Sequence, residues 1–123
     1  MRISVVPQLS PYNYKLPELY ILYFLRDYKP DVIFHFGAVP RVTYSIENPY
    51  ETAQANVQGT VNLLEKIVKA DLAKTTRFVM SSSSSVYGGA DTLPTPEYTR
   101  CNPKSPYALE KFHCDLGRTP CLG

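Results

Sequence analysis

The sequence is poor in glycine, with six in 123 residues and none before Gly37. No glycine-rich turn of the kind that brings backbone amides close to a phosphate can therefore form in the first 36 residues. Tryptophan is absent, and cysteine is confined to Cys101, Cys114 and Cys121. Three widely spaced thiols give no disulfide framework and no zinc spacing with His35 and His113, so no metal is expected and a reducing cytoplasm suits the chain. No two basic residues adjoin, and 13 Lys and Arg face 11 Asp and Glu. Without a basic stripe, nucleic acid is not an expected partner. The longest apolar or aromatic run is Leu19 to Leu25, seven residues, where a membrane-spanning helix needs about 20. Ile3 to Val6 stops at Pro7 and Gln8, too short for the apolar core of a secretory signal. With 44% hydrophobic residues and a net charge of +2, the chain reads as one small soluble cytoplasmic domain without a membrane segment.

The organisation follows from periodicity. A brief strand is expected at Ile3 to Val6, followed by a proline-interrupted loop. Leu16-Pro17-Glu18 opens a helix that Lys29-Pro30 closes. Leu19, Ile21, Leu22, Phe24 and Leu25 leave this helix, 16 to 28, little polar face, which predicts burial on more than one side. Asp31 to Phe36 is a continuous run of β-formers ending at Gly37, as in a strand of a parallel sheet. From about Pro49 to Ala70, Val57, Val61, Leu64 and Val68 share one helical stripe. Arg77 to Met80 is a second short strand, and a helix restarts after Pro106. Helices alternating with strands call for an α/β fold, a three-layer parallel sheet with helical crossovers. The segment from Gly88 to Ser105 carries Pro94, Pro96 and Pro103 without periodicity and is expected to be a long loop, a length that commonly accompanies function.

Tyr107 and Lys111 stand four residues apart, on one face of the helix after Pro106. With ten tyrosines and seven lysines, that spacing arises by composition about 0.6 times, so alone it means little. The row Ser81 to Ser85, followed by Val86-Tyr87-Gly88, gives it weight. There a strand ends in hydroxyls where parallel sheets bind ligands.

These motifs resemble the extended short-chain dehydrogenase/reductase family, the NAD-dependent sugar-nucleotide epimerases and dehydratases. The serine row with Val-Tyr-Gly, Ser105-Pro106-Tyr107 with Lys111, Asn56 to Thr60, and the strand Asp31 to Ala38 fall in the family's order, over about residues 29 to 116. The resemblance implies a partial Rossmann-like fold with NAD as cofactor and a nucleotide sugar as substrate. It implies Tyr107 as the base, its pKa lowered from about 10 by Lys111 and by the positive nicotinamide ring. Ser83 would be the hydroxyl donor to the reacting oxygen. By the same resemblance Phe36, Gly37, Ala38, Asn56, Ser81, Tyr107 and Lys111 line the cofactor pocket, Gly37 replacing an alanine, and Arg41, Ser83 and Ser84 approach the sugar. Tyr44 to Pro49 looks like a loop near that sugar, and His35 is a satisfied core histidine rather than a catalyst. The family's 4,6-dehydratases place an acidic residue before Val-Tyr-Gly. Ser84 and Ser85 stand there in this chain, which moves the reading to a C4 epimerase of a UDP-hexose.

Two parts of the family pattern are missing: the Gly-x-x-Gly-x-x-Gly turn that holds the pyrophosphate, and the carboxyl-terminal lobe that grips the nucleotide sugar. The expectation is a truncated form, one partial domain over 1 to 123, inactive and weak in NAD binding by itself. A non-catalytic binding module built from half a Rossmann domain and a dehydratase-type enzyme are the alternatives. A second copy or an external partner is expected to cover helix 16 to 28 if its apolar sides face solvent.

Overall fold

The computed structural model describes residues 1–5, 18–89 and 91–122. Three short strands, β1 (Ile3–Val5), β2 (Val32–His35) and β3 (Arg77–Met80), pair in parallel in the order β1-β2-β3, with Ile33 opposite Phe78 and His35 opposite Met80. The crossover from β1 to β2 contains α1 (Glu18–Tyr28). The one from β2 to β3 contains α2 (Val42–Glu47), α3 (Pro49–Ala53), a π-helical turn (Gln54–Gln58) and α4 (Gly59–Lys69). A 3₁₀ turn (Ser84–Tyr87) follows β3, and α5 (Pro106–Leu122) ends the described chain. This is the expected α/β architecture, part of a Rossmann-like sheet with helical crossovers. No helix among the described residues is long and apolar enough to cross a membrane.

The core forms on one face of the sheet. Ile33 and Phe78, which alternation places on the same side, pack with Leu25 of α1, with Leu63, Leu64 and Ile67 of α4, and with Leu72. The opposite face carries Val32, Phe34 and Val79, half-buried, beside the exposed Ile3 and Arg77.

Two segments differ from the sequence reading. Tyr44 to Asn48 lies mostly in α2 rather than in a loop, because Val42 to Glu47 completes one and a half turns before Pro49 starts the next helix at its first position. The helix 16 to 28 is not buried on several sides. Leu25 alone is fully buried, whereas Leu19 is 60% and Tyr23 58% exposed, and Tyr20, Phe24 and Tyr28 also face solvent. Leu16 and Pro17 lie outside the described residues. Lys29, with φ of 46°, ends α1 and donates its backbone N–H to the Leu25 carbonyl at 3.0 Å.

Candidate active site

The site is built where the carboxyl ends of β2 and β3 meet the start of α5. Ser105 caps α5, its hydroxyl accepting from the Ala108 amide at 3.1 Å, and Pro106 fills the first helical position, where no N–H is needed. A second hydroxyl caps the same turn from another helix. Ser45 of α2, fully buried, accepts the Tyr107 backbone N–H at 3.0 Å and donates to the Val42 carbonyl at 2.6 Å. The backbone at Tyr107 is thus held from both sides.

Gly88 explains how α5 returns to the serine row. It adopts φ of 68°, and a Cβ there would lie 1.8 Å from the Asn102 carbonyl oxygen. The Asn102 amide donates to the Val86 carbonyl at 2.9 Å, so the loop between them doubles back on the 3₁₀ turn. Glycine alone meets both demands, the left-handed conformation and the close approach.

Tyr107 and Lys111 of α5 lie against the serine row. The Ser83 hydroxyl pairs with the Ser85 hydroxyl at 2.8 Å while capping the 3₁₀ turn, and it lies near enough to the Tyr107 phenol to lower its pKa. The Lys111 ammonium donates to the Ser81 carbonyl at 2.9 Å. Ser82 donates to the Asp115 carboxylate, a second tie from the serine row to α5. Ser84 points outward and is exposed.

On the β2 side, Gly37 and Ala38 are half-buried, and Phe36 is 59% exposed. Asn56, buried in the π-helical turn, clamps the next residue in both directions: it accepts the Val39 N–H at 2.7 Å and donates to the Val39 carbonyl at 3.2 Å. The Asn56 carbonyl, in the π-helical turn, accepts from the Thr60 hydroxyl at 2.6 Å and from the Cys114 thiol at 3.3 Å. Arg41 is exposed at the start of α2.

Electrostatics depart from the expected activated phenolate. Burial pushes the Tyr107 phenol above its ordinary value, and the nearby Glu110 carboxylate raises it further against the lowering contact with Ser83. Burial also lowers the Lys111 pKa, against the raising influence of Cys114, Asp115 and Glu110. His35 falls to about 4, chiefly through burial and then through the charge of Lys111, so its imidazole is neutral. Its Nε2 contacts the Thr60 hydroxyl at 2.9 Å, while the buried Nδ1 has no partner among the described residues. His35 is therefore only half satisfied.

The donor set fits one end of NAD. An ammonium, a phenol and serine hydroxyls lie at the strand ends, which suits a ribose and a nicotinamide. The described residues offer no glycine-rich cradle for a diphosphate, and the close contact of Gly88 with Asn102 makes it part of the fold.

Four residues at this site lay beyond the sequence reading: Ser45, Thr52, Glu110 and Asp115. The signal for Glu110 was present. Tyr107, Glu110, Lys111 and Cys114 follow the i, i+3, i+4, i+7 spacing, and all four are buried.

Comparison with known proteins extends this geometry. The family model described as GDP-mannose 4,6 dehydratase matches residues 19–116. The chain is 40% identical over 89 residues to a GDP-mannose 4,6-dehydratase of Vibrio cholerae, covering 72% of this chain and 24% of the relative. It is 42% identical over 87 residues to a UDP-glucose 4-epimerase of Mycolicibacterium smegmatis, covering 71% of this chain and 27% of that one. The chain thus spans about a quarter of the length of the curated relatives it matches. Among solved structures, the UDP-glucose 4-epimerase of Thermotoga maritima with UDP-glucose superposes with a TM-score of 0.75 at 29% identity, over 85% of this chain and 34% of the other. A dTDP-glucose 4,6-dehydratase from Streptomyces venezuelae with NAD bound superposes at 0.70 with 34% identity, over 80% of this chain and 29% of that one. With the family model matching most of its length and a Rossmann-type strand end carrying the serine row, the Tyr107–Lys111 pair and the Asn56 clamp, the chain belongs to the GDP-mannose 4,6 dehydratase family of sugar-nucleotide epimerases and dehydratases.

Proposed function

We propose that the cluster of Ser83, Tyr107 and Lys111 is the nicotinamide and sugar end of an NAD-dependent site that inverts C4 of a UDP-hexose type substrate by transient oxidation. The observation that carries this reading is that α5 packs on the serine row, with Lys111 donating to the Ser81 carbonyl and the Ser83 hydroxyl near enough to the Tyr107 phenol to lower its pKa. A bound NAD would supply a reversible hydride acceptor for C4, taking the hydride and returning it to the opposite face. The protein's own residues manage the proton and the orientation. Tyr107 Oη takes the proton of the 4-hydroxyl, and Ser83 Oγ donates to the same oxygen as charge develops on it. Lys111, anchored by the Ser81 carbonyl, would hold the ribose, and its charge together with that of the bound nicotinamide ring would have to bring the Tyr107 phenol, raised by burial, to the phenolate that takes the proton. Gly37, Ala38 and Phe36 form the β2 wall of this pocket, with Asn56 fixing the backbone beyond it. Arg41 and Ser84 belong to the sugar side.

Among the described residues no uncommitted carboxylate stands beside Ser83, which favours epimerisation over elimination. Ser84 and Ser85 occupy the positions before Val86-Tyr87-Gly88, the Glu110 carboxylate is engaged by Thr52 and Asn56, and that of Asp115 by Ser82. The match to the dehydratase family model supports a 4,6-dehydratase as the second reading.

These 123 residues constitute one partial domain, with no diphosphate cradle among those described, so by themselves they are expected to bind NAD weakly and to turn over no sugar. A chimera tests the reaction class. Residues 29 to 116 replace the corresponding segment of a UDP-glucose 4-epimerase, and the product from UDP-galactose or a UDP-N-acetylhexosamine is identified. The C4 epimer is expected, lost in a Tyr107→Phe version; a 4-keto-6-deoxy product would establish the dehydratase reading instead.

A further inference from the structure

Glu110 has no role in the reaction outlined above, yet it is the one acidic residue buried among those described. It lies between Tyr107 and Lys111 on α5 and is 5% exposed. Each of its carboxylate oxygens has its own donor: Oε1 accepts from the Thr52 hydroxyl of α3 at 2.7 Å, and Oε2 accepts from the Asn56 side-chain amide at 2.6 Å. Asn56 in turn holds both the N–H and the carbonyl of Val39. One carboxylate therefore links α5, α3, the π-helical turn and the backbone that leaves β2.

A buried carboxylate with two neutral donors is a costly way to join two helices. Apolar side chains of similar volume commonly serve as well or better for stability alone, whereas hydrogen-bonded groups fix one arrangement against its neighbours. Sliding α5 by one residue would leave Glu110 without Asn56 and Thr52, and would leave part of the Asn56 amide unpaired. The link also acts on one place. Val39 directly follows Ala38 on the backbone that leaves β2, and Asn56 ties it to α5.

We propose that Glu110 is a positioning residue: through Asn56 it locks the backbone at Val39 to the face of α5 that carries Tyr107 and Lys111, so the backbone after β2 and that face move as one body. That this pocket receives a nicotinamide nucleotide rests on the function proposed above; the mechanical link does not.

The test is amide hydrogen exchange followed by NMR on the 123-residue chain, comparing the parent with Glu110→Met and Glu110→Gln. The Val39 amide reports the link, and the Ile67 amide in the core of α4 reports global opening. Met fills the space without acceptors. It is expected to speed exchange at Val39 about tenfold more than at Ile67. Gln retains an acceptor for Asn56, and its amide can donate to the Thr52 hydroxyl, which has the Asn48 and Pro49 carbonyls for its own proton. Gln is therefore expected to return Val39 to within about threefold of the parent. If Met prevents folding, Glu110→Asp, which withdraws the carboxylate by one methylene, is measured by the same criterion. Equal acceleration at Val39 and Ile67 would show a purely structural contact and overturn the proposal, as would an unchanged Val39. Titration with NAD is run alongside. Absence of any NAD-induced shift in the parent chain counts against the proposed function alone, because the exchange ratio is read without ligand.

Discussion

Helices α1 and α5 invert each other. α1 is the more apolar by sequence and leaves Leu19, Tyr20, Tyr23 and Phe24 exposed, whereas α5 buries Glu110 and Lys111, each 5% exposed, and turns Leu109 and Leu116 outward. The difference lies in what each face meets. The inward side of α5 finds a donor or acceptor for every polar group, with Thr52 and Asn56 for Glu110, Ser81 for Lys111 and the Asn56 carbonyl for Cys114. α1 needs only Leu25, supported by Ile21, to close the core. Hydrophobicity shows which residues are able to be buried; partners decide which ones are.

The sharpest way to break this comparison is to remove the carboxylate. Glu110→Met leaves Asn56 short of an acceptor and is expected to lower unfolding stability by about 2–4 kcal/mol in urea titrations. A loss below about 0.5 kcal/mol would mean that packing alone holds α5.

The next effect is a pH dependence set beneath α5. His35 stands at about 4 in the folded chain against an ordinary 6.5. Below about pH 6.5 the unfolded chain takes up a proton that the folded chain refuses. Its contribution to stability is therefore full above that pH, falls between about 6.5 and 4, and levels off below. The loss amounts to roughly 3 kcal/mol at most. Comparing urea midpoints of the parent and His35→Phe across this window isolates it, and identical pH slopes would show that His35 is not held neutral.

Ser45→Ala removes the acceptor for the Tyr107 amide and should cost about 1–2 kcal/mol. Its thermal midpoint, set beside that of Ser105→Ala, tells whether the helix is capped from α2 or only from its own first turn. Tyr23→Lys is the smallest effect, within about 0.5 kcal/mol, since that ring faces solvent. A cost above about 2 kcal/mol, or a change in mass by light scattering, would reveal a covered α1 face.

Strands β2 and β3, the long helical segment and the start of α5 were legible because runs of β-formers, a 3.6-residue stripe and Ser-Pro are local signals. The Tyr107–Lys111 spacing and the serine row were legible for the same reason. Exposure of α1 was not, since burial depends on what lies opposite in space. α2 escaped because six residues between Arg41 and Asn48 hold too few turns to show a period. Glu110, Thr52 and Ser45 escaped because an isolated polar residue on a helix reads as solvated. Only the partner 54 to 62 residues away in sequence makes its burial favourable.

Saturation-transfer NMR of NAD with the 123-residue chain tests the central claim most directly. Saturation is expected to be strongest on the nicotinamide and its ribose and weakest on the adenine, with affinity in the millimolar range, and to vanish in a folded Lys111→Met variant. Adenine-centred saturation, or a pattern indifferent to Lys111→Met, would contradict the assignment of the Ser83–Tyr107–Lys111 cluster as the nicotinamide end of a cofactor site.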